Sequence, residues 1–196
     1  MSYWDKFYRE SKFELTKPSN FAEYVQSSIP KNSRIIDIAC GNGRDSFYFE
    51  RKGHDVLGVD KSKEIDFLGS KFRIMDVIKE IPLGEVYYAR FFLHTITEKE
   101  MDSFLLLLSR KIDNESVIFF ETRSAKNILN NEKGETFLKL SEGKKHFRML
   151  YSKAYLEIKI KKFFKIDFIE ESNLFAVHKT ERPYIIRVKA SKKWKH

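Results

Sequence analysis

Three carboxylates, Asp37, Asp60 and Asp76, each stand inside or at the end of a short apolar run. The first two flank a glycine turn, "DIACGNGRDS". Gly41 and Gly43 let the backbone pass close under a ligand, in conformations that a side chain hinders. A dinucleotide fingerprint needs a third glycine and turns its helix N-terminus toward a pyrophosphate. Here the third position is Ser46, and Asp37 precedes Gly41 by four residues, inside the apolar run. That carboxylate would repel a pyrophosphate. An ionised group inside an apolar strand is costly without a partner, so Asp37 asks for a cation. S-adenosylmethionine carries an α-ammonium and a sulfonium at one end and a ribose and adenine at the other. Asp60 is placed to accept from the ribose hydroxyls, as the equivalent acid does in dinucleotide enzymes. Asp76, between Met75 and Val77, is placed to take the adenine amino group while its neighbours pack on the ring; the alternative is a simple helix cap. Cys40 needs no nucleophilic role, because a small residue suits a glycine turn.

A second set of residues bears on what receives a methyl group. Methyl transfer from a sulfonium is an in-line displacement in which positioning does most of the work. His94 follows the run "EVYYARFF" and has a pKa suited to a general base; the alternative is a structural histidine. Arg90 lies in the same segment. "FFETRSAKN" delivers Arg123, Ser124 and Lys126, and "EGKKHFRML" brings Lys144, Lys145, His146 and Arg148 together. Arginine forks match the oxygens of phosphate or carboxylate. The expected acceptor is therefore a small anion, gripped by Arg90, Arg123, Lys126 and Arg148, with His94 or His146 as the base. The alternative is a solvated basic surface.

The elements that must position these residues alternate. Strands are expected at Arg34–Ala39, His54–Asp60, Phe72–Val77, Glu85–Phe92 and Ser116–Thr122, with helices over "RDSFYFERKG", closed by Gly53, and over "TEKEMDSFLLLLSRKI", which opens on a Thr97–Glu100 capping box. Few residues separate Asp60 from Phe72, so the second crossover helix is expected to be very short or absent. "FFKIDFIEES" and "PYIIRVKA" predict a late antiparallel pair with a short connection. Residues 127–143 read as a polar loop able to fold over the pocket. This alternation implies an α/β fold with a parallel sheet and helices on both faces, and ligands there bind beyond the C-terminal strand ends, where strand order reverses.

At "DIACGNGRDS" and "VLGVD" the sequence resembles the class I S-adenosylmethionine-dependent methyltransferases. The resemblance implies a Rossmann-like seven-stranded sheet whose last strand is antiparallel. It places Asp37, Ala39, Cys40, Gly41, Asn42 and Gly43 at the methionine end of the cofactor, Asp60 and Lys61 at the ribose, and Met75, Asp76 and Val77 at the adenine. Phe91 and Phe92 would line the methyl-donor pocket. Enzymes of this class that methylate exocyclic base amines carry an Asn/Asp-Pro-Pro-aromatic motif after the fourth strand, and this chain does not. The Arg-Ser pair, "HFRML" and "ERPYIIRV" resemble small bacterial methyltransferases linked to surface-polysaccharide (capsule) biosynthesis. Phosphorylated or nucleotide-linked sugars are the acceptors this implies. The N-terminal "YWDKFYRE…KPSNFAEYV" is similar to the aromatic segment covering the cofactor in tellurite- and thiopurine-type enzymes, which would set Trp4, Tyr8 and Phe21 over the reacting centre.

The 196 residues suit a single domain: an N-terminal cap (1–33), a cofactor-binding half (34–122) and an acceptor-side half (123–196). One cysteine forms no intramolecular bridge, and the start of the chain shows no apolar signal segment, so a cytoplasmic protein without membrane insertion or metal is expected. The charge of +9 attracts polyanions, but the lysines are spread along the whole chain. Two other functions compete with methylation of an anionic oxygen: detoxification of tellurite or a thiol, and RNA methylation on the basic surface. A cofactor-binding protein without catalysis is a third.

Overall fold

The structure, a computed structural model, describes residues 17–127, 133–139, 145–176 and 182–193. In chain order its elements are α1 (Asn20–Gln26), β1 (Arg34–Ile38), α2 (Arg44–Arg51), β2 (Asp55–Asp60), β3 (Phe72–Ile74), β4 (Val86–Arg90), α3 (Glu98–Lys111), β5 (Val117–Arg123), β6 (Lys133–Lys139), β7 (Lys145–Tyr151), α4 (Lys153–Lys161), β8 (Phe164–Ser172) and β9 (Ile185–Lys192). Seven strands form one sheet in the order β3-β2-β1-β4-β5-β9-β8, while β6 and β7 pair separately. The first five are parallel, and β9 runs antiparallel to both β5 and β8. This is the expected α/β sheet with its antiparallel end.

Both faces are covered, which is why the inner strands are apolar through their length. Ile36, Ile38, Tyr87, Ala89 and Phe120 pack with Met101, Phe104 and Leu108 of α3 and Leu156 and Ile160 of α4. On the opposite face Ile35, Tyr88 and Phe119 pack with Phe21, Ala22 and Val25 of α1 and Phe49 of α2. The capping box of α3 is present: Thr97 Oγ1 accepts from the Glu100 amide (3.3 Å), and the Thr97 amide donates to Glu100 Oε2 (2.8 Å). Each such cap is worth about 1 kcal/mol.

Several boundaries differ from expectation. The second crossover is a 3₁₀ turn, Lys63–Leu68. β3 ends at Ile74, three residues before Val77. β4 stops at Arg90 because Phe91 turns into the left-handed region, φ 59°. The segment 127–143 is not all loop: β6 lies within it and pairs antiparallel with β7 in register Thr136↔Arg148. The connection between β8 and β9 is long rather than short, and α1 and α4 had no counterpart among the expected elements.

Candidate active site

The strand order reverses between β1 and β4, and a cavity of about 460 Å³ opens there, at the C-terminal ends of β1, β2 and β4. Of the residues expected to hold a cofactor, Asp37, Ala39, Cys40, Gly41, Asn42, Asp60, Lys61, Met75, Asp76, Val77 and Phe91 line it, with Phe92 beside them. Gly43 does not. It caps α2 at φ 75°, and a Cβ there would stand 2.7 Å from Phe72 Cζ. Its role is to let the turn close onto that ring.

The turn is tied to the strands on either side. Asp60 accepts from the Gly41 amide (3.0 Å) and the Ser62 amide (2.9 Å). Its carboxylate therefore holds the turn against β2 while still facing the cavity. Asp37 is buried, and Ser46 donates to it at 2.5 Å. Burial, with the neighbouring charge of Asp45 adding to it, pushes the Asp37 carboxyl up to about 8 against the Ser46 hydrogen bond. Burial, then Asp37 and Asp60, hold the Cys40 thiol well above its ordinary value, so it stays a neutral thiol. Asp76 accepts from the Ile78 amide (3.3 Å), as a cap does, and meets Lys61 Nζ at 3.2 Å.

Beneath Asp37 lies a network that no local motif announces. Asp45, in the first turn of α2, accepts from the Ser19 amide (2.8 Å), Ser19 Oγ (2.6 Å) and Tyr88 Oη (2.8 Å). Burial, then Asp45, raise the Tyr88 hydroxyl well above its ordinary pKa, so it remains a donor. Asp45 and Tyr88 both border the cavity. An acid in a first helical turn reads from sequence as an ordinary dipole partner, and nothing local marks its contacts 26 and 43 residues away.

The acceptor end is built on β4, β5 and β7. Arg90, His94, Arg123 and Arg148 all line the cavity there. Phe91 lies among them, its amide donating to the Glu121 carbonyl (2.7 Å); the guanidinium carbons of Arg90 and Arg123 sit 4.0 and 5.9 Å from its ring centre. A bulky residue held at positive φ is strained, and such strain gathers at working sites. His94 is buried, with Nδ1 accepting from the Arg123 amide at 3.2 Å and lying 2.9 Å from Thr122 Oγ1. An amide can only donate, so Nδ1 carries the lone pair and the ring proton sits on Nε2. In that tautomer His94 offers a donor, not the base expected of it. Glu100, the capping residue of α3, borders the same end.

Three expectations are corrected. Lys126 is not at the cavity: its ammonium pairs with Glu171 of β8 at 2.5 Å, and that hydrogen bond and charge raise its pKa. Ser124 likewise donates to Glu171. Phe21 does not cover the reacting centre but is fully buried, stacked on Tyr88 with ring centres 5.2 Å apart. Trp4, Tyr8 and Lys144, together with the side chains of Lys145 and His146, lie outside the described residues. Among the described residues no group of three or more His, Cys, Asp or Glu is arranged to hold a metal ion, and no helix is long and apolar enough to cross a membrane.

The cavity suits S-adenosylmethionine. Asp37 is a buried acid whose one printed donor is a hydroxyl, so a bound ammonium would offset its burial; Asp60 stands ready for diol hydroxyls, and Met75, Val77 and Ile78 supply an apolar wall for a purine. The model of the family "Tellurite resistance protein TehB" matches residues 1–136. Over 45 residues the chain is 38% identical to a putative methyltransferase, YqeM, of Bacillus subtilis, a match spanning 23% of this chain and 18% of that protein. An S-adenosylmethionine-dependent methyltransferase of Mesorhizobium loti superposes with a TM-score of 0.69 at 15% identity, over 91% of this chain and all of the other (100%). A TehB-like enzyme of Corynebacterium glutamicum gives 0.64 at 14% identity, over 90% and 89%. The chain belongs to the TehB family and has the fold of S-adenosylmethionine-dependent methyltransferases.

Proposed function

We propose that the protein transfers the methyl group of S-adenosylmethionine to an oxygen of a small, already anionic acceptor. The observation that carries this is the convergence of Arg90, Arg123 and Arg148 on one end of the cavity whose other end holds Asp37 and Asp60. The cofactor supplies an activated methyl on a sulfonium. Asp37 orients its ammonium, Asp60 its ribose, and the arginines hold the acceptor in line with the methyl, which is where most of the rate comes from. An ionised oxygen needs no base, and this agrees with His94 offering Nε2–H as a donor to the acceptor instead of taking a proton from it.

A phosphorylated or nucleotide-linked sugar of surface-polysaccharide biosynthesis fits that description. An inorganic oxyanion fits it as well, and the family's description makes tellurite the second reading. Titration calorimetry with S-adenosylmethionine and its demethylated product tests the first half: micromolar binding is expected, lost in Asp37→Ala and Asp60→Ala. Methyl transfer to a panel of sugar phosphates, nucleotide sugars, tellurite and neutral thiols tests the second. Anionic acceptors should turn over, with KM raised at least tenfold in Arg123→Ala. Turnover of neutral thiols alone, indifferent to the arginines, would overturn it.

A further inference from the structure

Resting on that reading of the acceptor end, we propose that Arg187, which does not reach the cavity, sets the anion affinity of Arg90 through Glu121. Arg90, Glu121 and Arg187 are direct cross-strand partners on β4, β5 and β9, three residues in one row of the sheet. Glu121 is buried and divides its oxygens: Oε1 accepts from Arg90 Nε at 2.9 Å and Oε2 from Arg187 Nε at 2.8 Å. The row therefore carries one net positive charge. Glu121 neither touches the cavity nor keeps Arg90 to itself.

Arg187 is enclosed where no ligand can meet it. Its guanidinium carbon lies 5.2 Å from the ring centre of Phe21, 4.8 Å from Tyr24 and 4.3 Å from Phe175, and Nη2 donates to the Phe175 carbonyl at 3.2 Å. Arg90, by contrast, lines the cavity with its Nε committed to Glu121. Remove Arg187 and Arg90 becomes half of a neutral ion pair, with Glu121 free to turn both oxygens on it. Remove the charge of Glu121 and two guanidiniums act on the cavity unopposed. In a site of reduced dielectric each change is felt at full strength by a bound anion. Arg187 is thus a positioning and charge-setting residue for the acceptor, acting at one remove.

The test titrates inorganic phosphate into enzyme saturated with S-adenosylhomocysteine, for wild type, Arg90→Met, Arg187→Met, Arg187→Lys and Glu121→Gln. Arg187→Met should weaken phosphate binding by about tenfold, Arg187→Lys should stay within about threefold of wild type, and Glu121→Gln should tighten binding by about tenfold. S-adenosylhomocysteine affinity should not change in any of the three, a pattern that loosened packing would not give. If Arg90→Met weakens phosphate binding while Arg187→Met leaves it unchanged, the acceptor site stands and the role of Arg187 falls. If Arg90→Met has no effect, or wild type binds no phosphate, the acceptor reading itself falls and takes the inference with it. Should Arg187→Met fail to fold, Glu121→Gln decides: no tightening overturns the role of the row.

Discussion

The ring of Phe72 fills the space in which a side chain at Gly58 would stand: a Cβ on Gly58 would lie 2.5 Å from Phe72 Cδ1. The two residues are cross-strand partners at the edge of the sheet, and the same ring lies under Gly43 of the cofactor turn. One aromatic side chain therefore holds both glycines of the turn's supporting wall in place. Gly58→Ala should destabilise the protein by about 1–3 kcal/mol, the usual range for overpacking. Phe72→Leu should recover part of that loss in the double variant, a coupling that urea denaturation of all four proteins will reveal. Simple additivity would show that the ring yields freely.

Proton release should accompany cofactor binding. Asp37 sits at about 8 in the folded protein and at 3.8 as an ordinary side chain. An ammonium beside it favours the carboxylate, so binding at pH 7 should expel a proton and affinity should rise toward pH 8. Calorimetry in two buffers of different ionisation enthalpy reads the released proton directly, and Asp37→Asn should abolish it. The same shift has a stability consequence with the opposite slope. Between about pH 4 and 8 the folded chain holds a proton there that the unfolded chain does not. The contribution of Asp37 to stability is present below pH 4 and lost as pH rises through 8.

Ser19 does two jobs at the start of α1. Its hydroxyl accepts from the Ala22 amide (3.1 Å) as a cap and donates to the buried Asp45. Ser19→Ala should cost about 1 kcal/mol for the cap and about 1–3 kcal/mol for the buried carboxylate left short of a donor. Ser19→Gly, which retains much of the cap preference, should recover only the smaller part. Chemical denaturation separates the two; equal losses would mean that Asp45 finds another donor.

His94 should behave as a donor in catalysis. His94→Gln keeps an N–H and should retain measurable turnover, whereas His94→Phe should lose it. The turnover of wild type and His94→Gln should share one pH profile. A limb near pH 6.5 that vanishes in His94→Gln would restore the histidine as a base.

The legible parts of this molecule were those written within one strand and its following turn. Asp37, Gly41 and Asp60 were readable because a carboxylate inside an apolar run, a glycine pair and a strand-ending acid are local facts. The capping box at Thr97 was readable for the same reason. Glu121 and Arg187 were not, since their bond joins residues 66 positions apart and β9 reaches β5 only through the antiparallel end of the sheet. Lys126 and Arg148 show the limit from the other side. Both are basic and near the active edge in sequence, yet a carboxylate on β8 holds the first, while pairing with β6 carries the second to the cavity. Phe21 misled because an aromatic near the start of the chain serves a lid or a core equally well, and only the face of the sheet it meets decides.

The place of β9 between β5 and β8 sets a timetable for biosynthesis. A ribosome delivers β5 well before residues 185–192, so the inner edge of the sheet stands open while β6, β7, α4 and β8 are being made. Throughout that interval Glu121 has Arg90 for company but not Arg187, and the long apolar β5 presents an unpaired edge of the kind that invites mispairing. Closing the sheet and completing the charge row are then one event, carried out by the same strand.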